Sequence, residues 1–555
     1  MFPLLLLGIF VAKCVFSKLL APTPPMGFNN WARFQCALNE SLFIKTANAM
    51  ASSGLVTAGY NRINIDDCWP LHDRAANKSL QWDPVKFPNG IPWLAQYVKK
   101  LGLQLGIYSD AGNMTCGGYP GSLTYEEIDA KTFQSWGIDY LKMDGCNVPT
   151  TNLTLEATYK GIYGHWHEVL SALSTPMIFS ESAPAYFAPW QGVTNLSDWY
   201  TVMNWVPKYG ELARHSDDIQ TYDWGGAWAS ILTNYGNNIL FARVQERNRG
   251  FYNDPDFLIA DHWDLKLDEK KSQFALWCSM SAPLIISADV PALKKEEIEF
   301  LSNKDLIAVN QDAWGLQATL VSQDGTWDVL TRSLANGDRL ITALNRGATD
   351  GNITIASNRL GLPSTCVGPY SNYTAKDLWT GKSKPITVSN GIQATVPSHG
   401  TVVYRVTLPA NCTGKYVPTG LVFNTKSSNC LTGAHSPSTR PSIGNCTGSD
   451  SQVWTFTADD GLLRTIDDKS RCLYAVPGNG TATSGKFVNG TVLINKCDNK
   501  SVRSQRWSYD VSGNIKNGVV PGCLTEGNNG TVALSQCMSE GNEQVFEMPS
   551  GSVWI

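Results

Sequence analysis

From about residue 22 to residue 315, short apolar runs alternate with amphipathic stretches. The apolar runs read PPMGFNNW, RINIDDCW, LQLGIYSD, DYLKMDGC, PMIFSES, a run ending near ARHSDDI, GFYNDPDFL and APLIISADV. Runs with their polar residues gathered at the ends suit strands buried on both faces. Between them lie segments such as LAQYVKKLG and EEIDAKTFQSWG, where apolar positions recur at helical spacing. Eight strands with intervening helices over roughly 290 residues predict a (β/α)8 TIM barrel over 21–315. A doubly wound open sheet is the alternative, but its usual Gly-rich phosphate loop after the first strand is missing.

The pattern then changes twice. Over 316–412, runs such as WDVLTRSL, RLITALNR, NITIAS, ATVPS and TVVYRVTL alternate apolar and polar positions between turn residues. That predicts an antiparallel β-sandwich, with Cys366 and Cys412 paired at its end. Over 418–555 a unit repeats three times: a Cys-Leu pair, a second Cys, then Gln-x-aromatic. The copies are Cys430-Leu431, Cys446 and Gln452-Val453-Trp454; Cys472-Leu473, Cys497 and Gln505-Arg506-Trp507; Cys523-Leu524, Cys537 and Gln544-Val545-Phe546. Threefold repetition of short strands predicts a β-trefoil with a disulfide inside each repeat. The repeat resembles the ricin-type lectin fold.

The N-terminus reads MFPLLLLGIFVAKCVF, about a signal-peptide length and too short for a membrane span. Residues 1–20 are expected to be a signal peptide, although no Lys or Arg precedes the run, and the mature protein is expected outside the cell. N-glycosylation sequons begin at Asn39, Asn77, Asn113, Asn152, Asn195, Asn352, Asn372, Asn411, Asn445, Asn479, Asn489, Asn499 and Asn529. The 14 cysteines include no Cys-x-x-Cys, so disulfides fit better than a zinc site, and Cys14 leaves with the signal. A net charge of −4 argues against a nucleic-acid binder. The 19 Trp and 20 Tyr suit a protein that stacks rings on sugar faces.

Carboxylates gather at the strand ends. Asp66 and Asp67 close the second strand, Asp110 the third, Asp144 the fourth and Glu181 the fifth; Asp217 and Asp218 lie near the sixth, Asp254 and Asp256 in the seventh. In a barrel these ends converge on the face that carries active sites. Such a ring can bind a metal, grip sugar hydroxyls, or supply two carboxyls for glycosidic cleavage. Lys142, Arg214, Tyr108 and Trp31 are interleaved with the acids, which favours a sugar over a metal. No metal or cofactor is implied. Any one Asp alone reads as a helix cap or loop acid; the argument rests on the set.

The motifs PPMGFNNW, NIDDCW, GIYSDAGNMTCGGYPGS, YLKMDGC, YNDPDFL and SAPLIISADV resemble glycoside hydrolase family 27 over about 22–410. That family contains α-galactosidases and α-N-acetylgalactosaminidases. The resemblance implies Asp144 as nucleophile and Asp218 as acid/base. It implies Asp66 and Asp67 on the 4- and 6-hydroxyls, Trp31 against the sugar, and Tyr108 and Lys142 flanking the nucleophile. Glu181 and Arg214 are implied near the 2-hydroxyl, and Asp256 in the pocket wall. A retaining enzyme needs one carboxyl ionised and the other protonated. Lys142 shares a strand face with Asp144 and favours its ionised form. Asp217 adjoins Asp218, and spacing alone does not choose between them.

Disulfides Cys36–Cys68 and Cys116–Cys146 would close loops of roughly 30 residues, worth about 3–4 kcal/mol each. Cys278 is expected as a buried thiol. Many relatives carry Cys-Glu-Trp where this chain has Ser180-Glu181-Ser182, and the usual partner half-cystine would fall near Gly210. In the N-acetylgalactosaminidases the adjoining loop, here SAPAYFAPW, carries Ser and Ala, which make room for an acetamide. Glu181 in the first of those positions would reject that group by bulk and charge; Ala185 fits the second. The expected activity is removal of terminal α-D-galactose from oligosaccharides, polysaccharides or glycoconjugates. N-acetylgalactosaminide and β-L-arabinopyranoside cleavage are the alternatives, and a lectin on a decayed barrel is the non-enzymatic one. The trefoil loops CLTGAH, CLYAVPGN and CLTEGNN lack the Asp that usually follows Cys-Leu in sugar-binding repeats. A second carbohydrate site there stays open; no nucleic-acid or membrane partner is expected.

Overall fold

Strands β1 (Met26–Asn29), β2 (Arg62–Asn64), β3 (Gln104–Asp110), β4 (Tyr140–Asp144), β5 (Ile178–Glu181), β6 (Leu212–Arg214), β7 (Tyr252–Asp254) and β8 (Leu284–Ile286) form one parallel sheet. The computed structural model describes residues 19–189, 196–362, 372–409, 416–434, 436–457, 459–476, 490–498, 503–518, 522–538 and 542–553. From β1 to β7 each strand pairs with the next, and β1 returns to β8 with Met26 opposite Leu284. Between β7 and β8 a single bridge, Leu258 to Ile286, completes the ring. All eight expected apolar runs contribute a strand, and the (β/α)8 architecture is as the pattern indicates.

Helices form where apolar residues recur every three to four positions. Glu40–Ser52 is capped by Asn39, whose Oδ1 accepts from the Leu42 N–H. Leu155–Ser171 is capped in the same way by Thr154. The segment LAQYVKKLG lies largely in Ile91–Lys99, with Ile91, Leu94, Ala95 and Val98 buried against the sheet. Parallel strands need such crossovers, which leave both sheet faces covered and every strand apolar.

The second unit is an antiparallel sheet of six strands, ordered Ser383–Thr387, Asn372–Asp377, Thr401–Thr407, Arg339–Asn345, Trp327–Ser333 and Thr319–Gln323. A separate ribbon pairs Gly351–Ile355 with Ile392–Val396. The third unit explains its own repeat. The glutamine of each Gln-x-aromatic triplet is buried and braces the residue just before the second Cys: Gln452 donates to Asn445 O at 2.9 Å, Gln505 to Lys496 O at 2.7 Å, Gln544 to Gln536 O at 2.9 Å. The ring nitrogens of Trp454 and Trp507 donate to the carbonyls of Leu431 and Leu473, the leucines of the Cys-Leu pairs. Phe546 replaces the third ring, buried beside Leu524.

Disulfides join Cys36–Cys68, Cys116–Cys146, Cys430–Cys446, Cys472–Cys497 and Cys523–Cys537, and Cys278 is a buried free thiol. The signal segment with Cys14, the Cys366–Cys412 pair, and Asn195, Asn411, Asn479, Asn489 and Asn499 lie outside the described residues. Asn39, Asn77, Asn113, Asn152, Asn352, Asn445 and Asn529 are exposed. Among the described residues, no helix is long and apolar enough to cross a membrane.

The trefoil is fused to the rest of the chain. Arg243, on the helix leading into β7, forms an ion pair with Glu547 in which both side chains are buried. Glu246, on the same helix, accepts from Ser550 Oγ at 2.8 Å and from the Gly551 N–H at 2.9 Å. On the sandwich side, Arg359 pairs with Asp450 at 2.5 Å and donates to Gly448 O at 2.8 Å. The trefoil therefore packs on both the barrel and the sandwich.

Candidate active site

Side chains alternate along a strand, so Lys142 and Asp144 of β4 share the inner face. Lys142 Nζ donates to Asp66 Oδ2 at 2.7 Å and lies 5.2 Å from the ring centres of both Tyr108 and Phe257. Burial alone would lower the lysine's pKa; the carboxylates of Asp66 and Asp144 more than reverse that, so the ammonium is locked on. Asp66 also accepts from Asn29 Nδ2 at 2.7 Å, which ties β2 to β1. Asp67 accepts from the Cys68 N–H at 2.6 Å and the Gly117 N–H at 2.7 Å. Its carboxyl stands above the ordinary range because burial outweighs those bonds. Trp31 begins the short helix after β1, half-buried, its N–H donating to Asn29 Oδ1 at 2.8 Å.

Asp144 receives the Tyr186 hydroxyl at 2.6 Å and Arg214 Nη2 at 3.3 Å on one oxygen. Burial pushes this carboxyl up. Arg214, Lys142 and hydrogen bonds from Tyr186 and Tyr108 pull it down further, leaving it below the ordinary range. Asp144 is thus held as a carboxylate. Arg214, at the end of β6, reaches Asp218 Oδ1 with Nη1 at 2.9 Å while Nη2 meets Asp144. One buried guanidinium touches both carboxylates. The Asp218 side chain is 51% exposed, so it sits at the opening. Asp217 turns back to accept the Asp218 N–H at 2.8 Å, and among the described ion pairs it makes none with Arg214.

Asp256 closes the ring at a backbone φ of +75°, a left-handed conformation rare outside glycine. That turn lets its Oδ2 accept the Ile219 N–H at 2.8 Å, fixing the segment that carries Asp218. Burial raises its pKa to about 7; Arg214 opposes that and Asp218 adds to it.

Asp110, at the end of β3, accepts the Gly112 N–H at 2.7 Å and the Cys146 N–H at 2.8 Å. It braces the disulfide-bonded loop against β4. The same loop needs glycine at 112, where a Cβ would stand 2.2 Å from the Asn147 backbone.

The expectation for Glu181 does not hold. Glu181 is level with Met143 in the β4–β5 register, so it lies on the outer face. Its carboxyl is fully buried under the helices, and among the described residues neither oxygen has a hydrogen-bond partner. A Cβ on Gly210 would come within 2.5 Å of Glu181 Oε1. Alternation returns the next residue, Ser182, to the inner side. Ser182 heads the 3₁₀ turn Ala183–Phe187, and the Ala185 N–H donates to its carbonyl at 3.1 Å. With three residues per turn, Ser182 and Ala185 are stacked on one side. Among the described residues, the Ser182 hydroxyl and Arg214 Nε are both buried without a partner. The sequence reading missed Ser182 and Tyr186. Strand parity counted from Lys142 through the β4–β5 register finds the first; nothing local marks the second.

Burial raises Asp110 to about 7, Glu211 to about 7 and Glu246 to about 8, and raises Glu181 well above its ordinary value. Carboxyls raised on folding stabilise the fold fully below their unfolded pKa, near 4.3, and that contribution is lost as pH rises towards the folded values. Asp144, depressed on folding, contributes in the opposite sense and loses its share only in stronger acid. The thermal midpoint should therefore be higher at pH 5 than at pH 8. Calorimetry of Glu181→Gln should show a smaller fall over that window; an unchanged fall would exonerate this carboxyl.

Residues 23–312 match the family profile described as alpha galactosidase A, residues 324–406 the alpha galactosidase C-terminal beta sandwich domain, and residues 418–546 the ricin-type beta-trefoil lectin domain. The chain is 56% identical to alpha-galactosidase A of Aspergillus niger, over 96% of this chain and 92% of that protein. It is 37% identical to alpha-galactosidase 3 of Arabidopsis thaliana, over 70% of this chain and 82% of the other. Among solved structures, alpha-galactosidase I of Mortierella vinacea superposes with a TM-score of 0.64 at 30% identity, over 71% of this chain and 99% of that one. The protein belongs to the α-galactosidase family of glycoside hydrolases, with a ricin-type trefoil appended.

Proposed function

We propose that this protein is a secreted hydrolase that removes terminal α-D-galactose with retention of configuration, Asp144 acting as nucleophile and Asp218 as acid/base. The observation that carries this reading is the Arg214 guanidinium, 3.3 Å from Asp144 and 2.9 Å from Asp218. Retaining hydrolases hold their two carboxyls about 5–5.5 Å apart, and one planar fork touching both keeps them near that spacing. The names of the relatives supply the substrate: proteins 50–56% identical to this one are called alpha-galactosidase A or probable alpha-galactosidase A. Secretion rests on the apolar leader, the exposed sequons and the disulfides.

In the first step an Asp144 oxygen bonds to C1 as the glycosidic C–O bond breaks. The leaving oxygen takes the proton of Asp218. In the second, water gives a proton to Asp218 and attacks C1, and Asp144 departs as a carboxylate. Arg214 and Lys142 offset the negative charge of Asp144, and Tyr186 orients it. Asp66 and Asp67 accept from the 4- and 6-hydroxyls, and Trp31 lies against the sugar. Asp256 sets the segment bearing Asp218.

A second reading has its own observation. Ser182 and Ala185 share one side of the turn after β5, which we assign to the 2-position in place of the outward-facing Glu181, and among the described residues the buried Ser182 hydroxyl and Arg214 Nε lack partners. Small side chains leave room for an acetamide, and unpartnered polar atoms offer it hydrogen bonds. The pocket thereby also suits α-linked N-acetylgalactosamine.

Initial rates on p-nitrophenyl α-D-galactopyranoside and its 2-acetamido analogue test both readings. Asp144→Asn should lose about ten-thousand-fold or more in kcat with its thermal midpoint kept. A variant that still turns over would remove Asp144 from its role. The wild type should cleave both substrates, and Ser182→Glu should spare only the galactoside. A wild type inert towards the acetamido substrate would end the second reading alone.

A further inference from the structure

On the outer flank of the barrel a groove of about 710 Å³ is walled by Trp82 and Trp136 and rimmed by Asn77, Gln81, Thr132 and Ser135. None of the residues of the Asp144 site lines it, and no lining residue is charged. The two indoles are half-buried and meet edge-on, with ring centres 5.3 Å apart at 71°. They are held from behind: Trp136 packs on Trp69 and Phe133, and a Cβ on Gly90 would stand 2.7 Å from the Trp82 ring. Fixed aromatic walls with an uncharged polar rim suit a neutral sugar, whose apolar face stacks on a ring while its hydroxyls find amides and hydroxyls. A volume of several hundred Å³ holds a drug-sized ligand, and so a disaccharide.

The groove brings its own occupant. Asn77 begins the sequon Asn77-Lys78-Ser79, and both Asn77 and Ser79 line the groove. Lys78 takes a φ of +72°, which folds the sequon into a tight turn. Within that turn Asn77 Oδ1 accepts from Ser79 N at 3.2 Å and Ser79 Oγ at 2.8 Å. The oxygen is thus engaged and Nδ2, which carries an N-linked glycan, donates to no described group. We propose that Asn77 is glycosylated and that the N-acetylglucosamine units nearest the protein lie in the groove against Trp82 and Trp136. Attachment bonds Nδ2 to C1 of a lipid-diphosphate-linked oligosaccharide; the lipid diphosphate leaves and the amide loses one proton. Tethering gives the sugar a high effective concentration, so weak stacking suffices to seat it. The inference rests on the reading that the chain is secreted.

The test expresses the full-length chain, leader included, in a glycosylating host. Glycopeptide mass spectrometry reads occupancy at Asn77, and oxidative footprinting reads the accessibility of Trp82 and Trp136. An occupied Asn77 is expected, with both tryptophans oxidised severalfold faster in Ser79→Ala and at the wild-type rate in Ser79→Thr, which keeps the sequon. Trimming the glycan to its first N-acetylglucosamine should preserve most of the protection; full removal should abolish it. Glycans at Asn39 or Asn352 with none at Asn77 would overturn the proposal while leaving secretion standing. Retention of the full-length chain inside the host, with no glycan at any sequon, would remove secretion as well. An occupied Asn77 that leaves both rings as exposed as in Ser79→Ala would overturn the seat. So would protection of the rings by added galacto-oligosaccharide in glycosylated wild type, which would make the groove a polysaccharide site.

Discussion

Everything at the mouth of the barrel is arranged around one buried guanidinium. A positive charge in a low-dielectric site must be paired, and Arg214 is paired with Asp144 on one side and Asp218 on the other. The same contact fixes the distance between two carboxylates that come from different strands and holds one of them ionised. The surrounding groups follow from it. Lys142 adds charge beside Asp144 but is anchored on Asp66, so the acid pair after β2 is tied to β4. Asp256 adopts a costly backbone conformation to fix the Asp218 segment. The Cys116–Cys146 disulfide and Asp110 clamp the loop over β4. These are short, buried, mutually dependent contacts on rigid strand ends, the setting in which a site keeps its geometry.

Much of this was legible in the sequence because it is carried by local pattern. The eight strands announce themselves as apolar runs ending in acids, and the carboxylate ring follows from strand direction. The trefoil is legible because the same glutamine brace and the same Cys-Leu pair recur three times. Glu181 was misread because the chain carries an acid one residue before the inward position. A motif match slipped by one residue reverses the face of the strand. Only the β4–β5 register, with Glu181 level with Met143, exposes the error. The consequence is chemical, since the residue turned to the inner side becomes a serine.

Other features were not legible because they join distant parts of the chain. Arg243 and Glu547 are 304 residues apart and no spacing links them. Tyr186 reaches Asp144 only because the turn after β5 folds back over β4. The buried Arg243–Glu547 pair and the Glu246–Ser550 contact change how the trefoil is understood. Its docking surface is built into the helix that leads to β7, so the three units share one body.

The central claim is that Asp144 and Asp218 act as a closely spaced retaining pair, and the stereochemistry of the first product tests it most directly. Proton NMR of galactose released from an α-galactoside, recorded before mutarotation, distinguishes the anomers. Initial release of α-galactose is expected. Initial release of β-galactose would mean a single displacement by water, and would contradict the assignment of Asp144 as nucleophile.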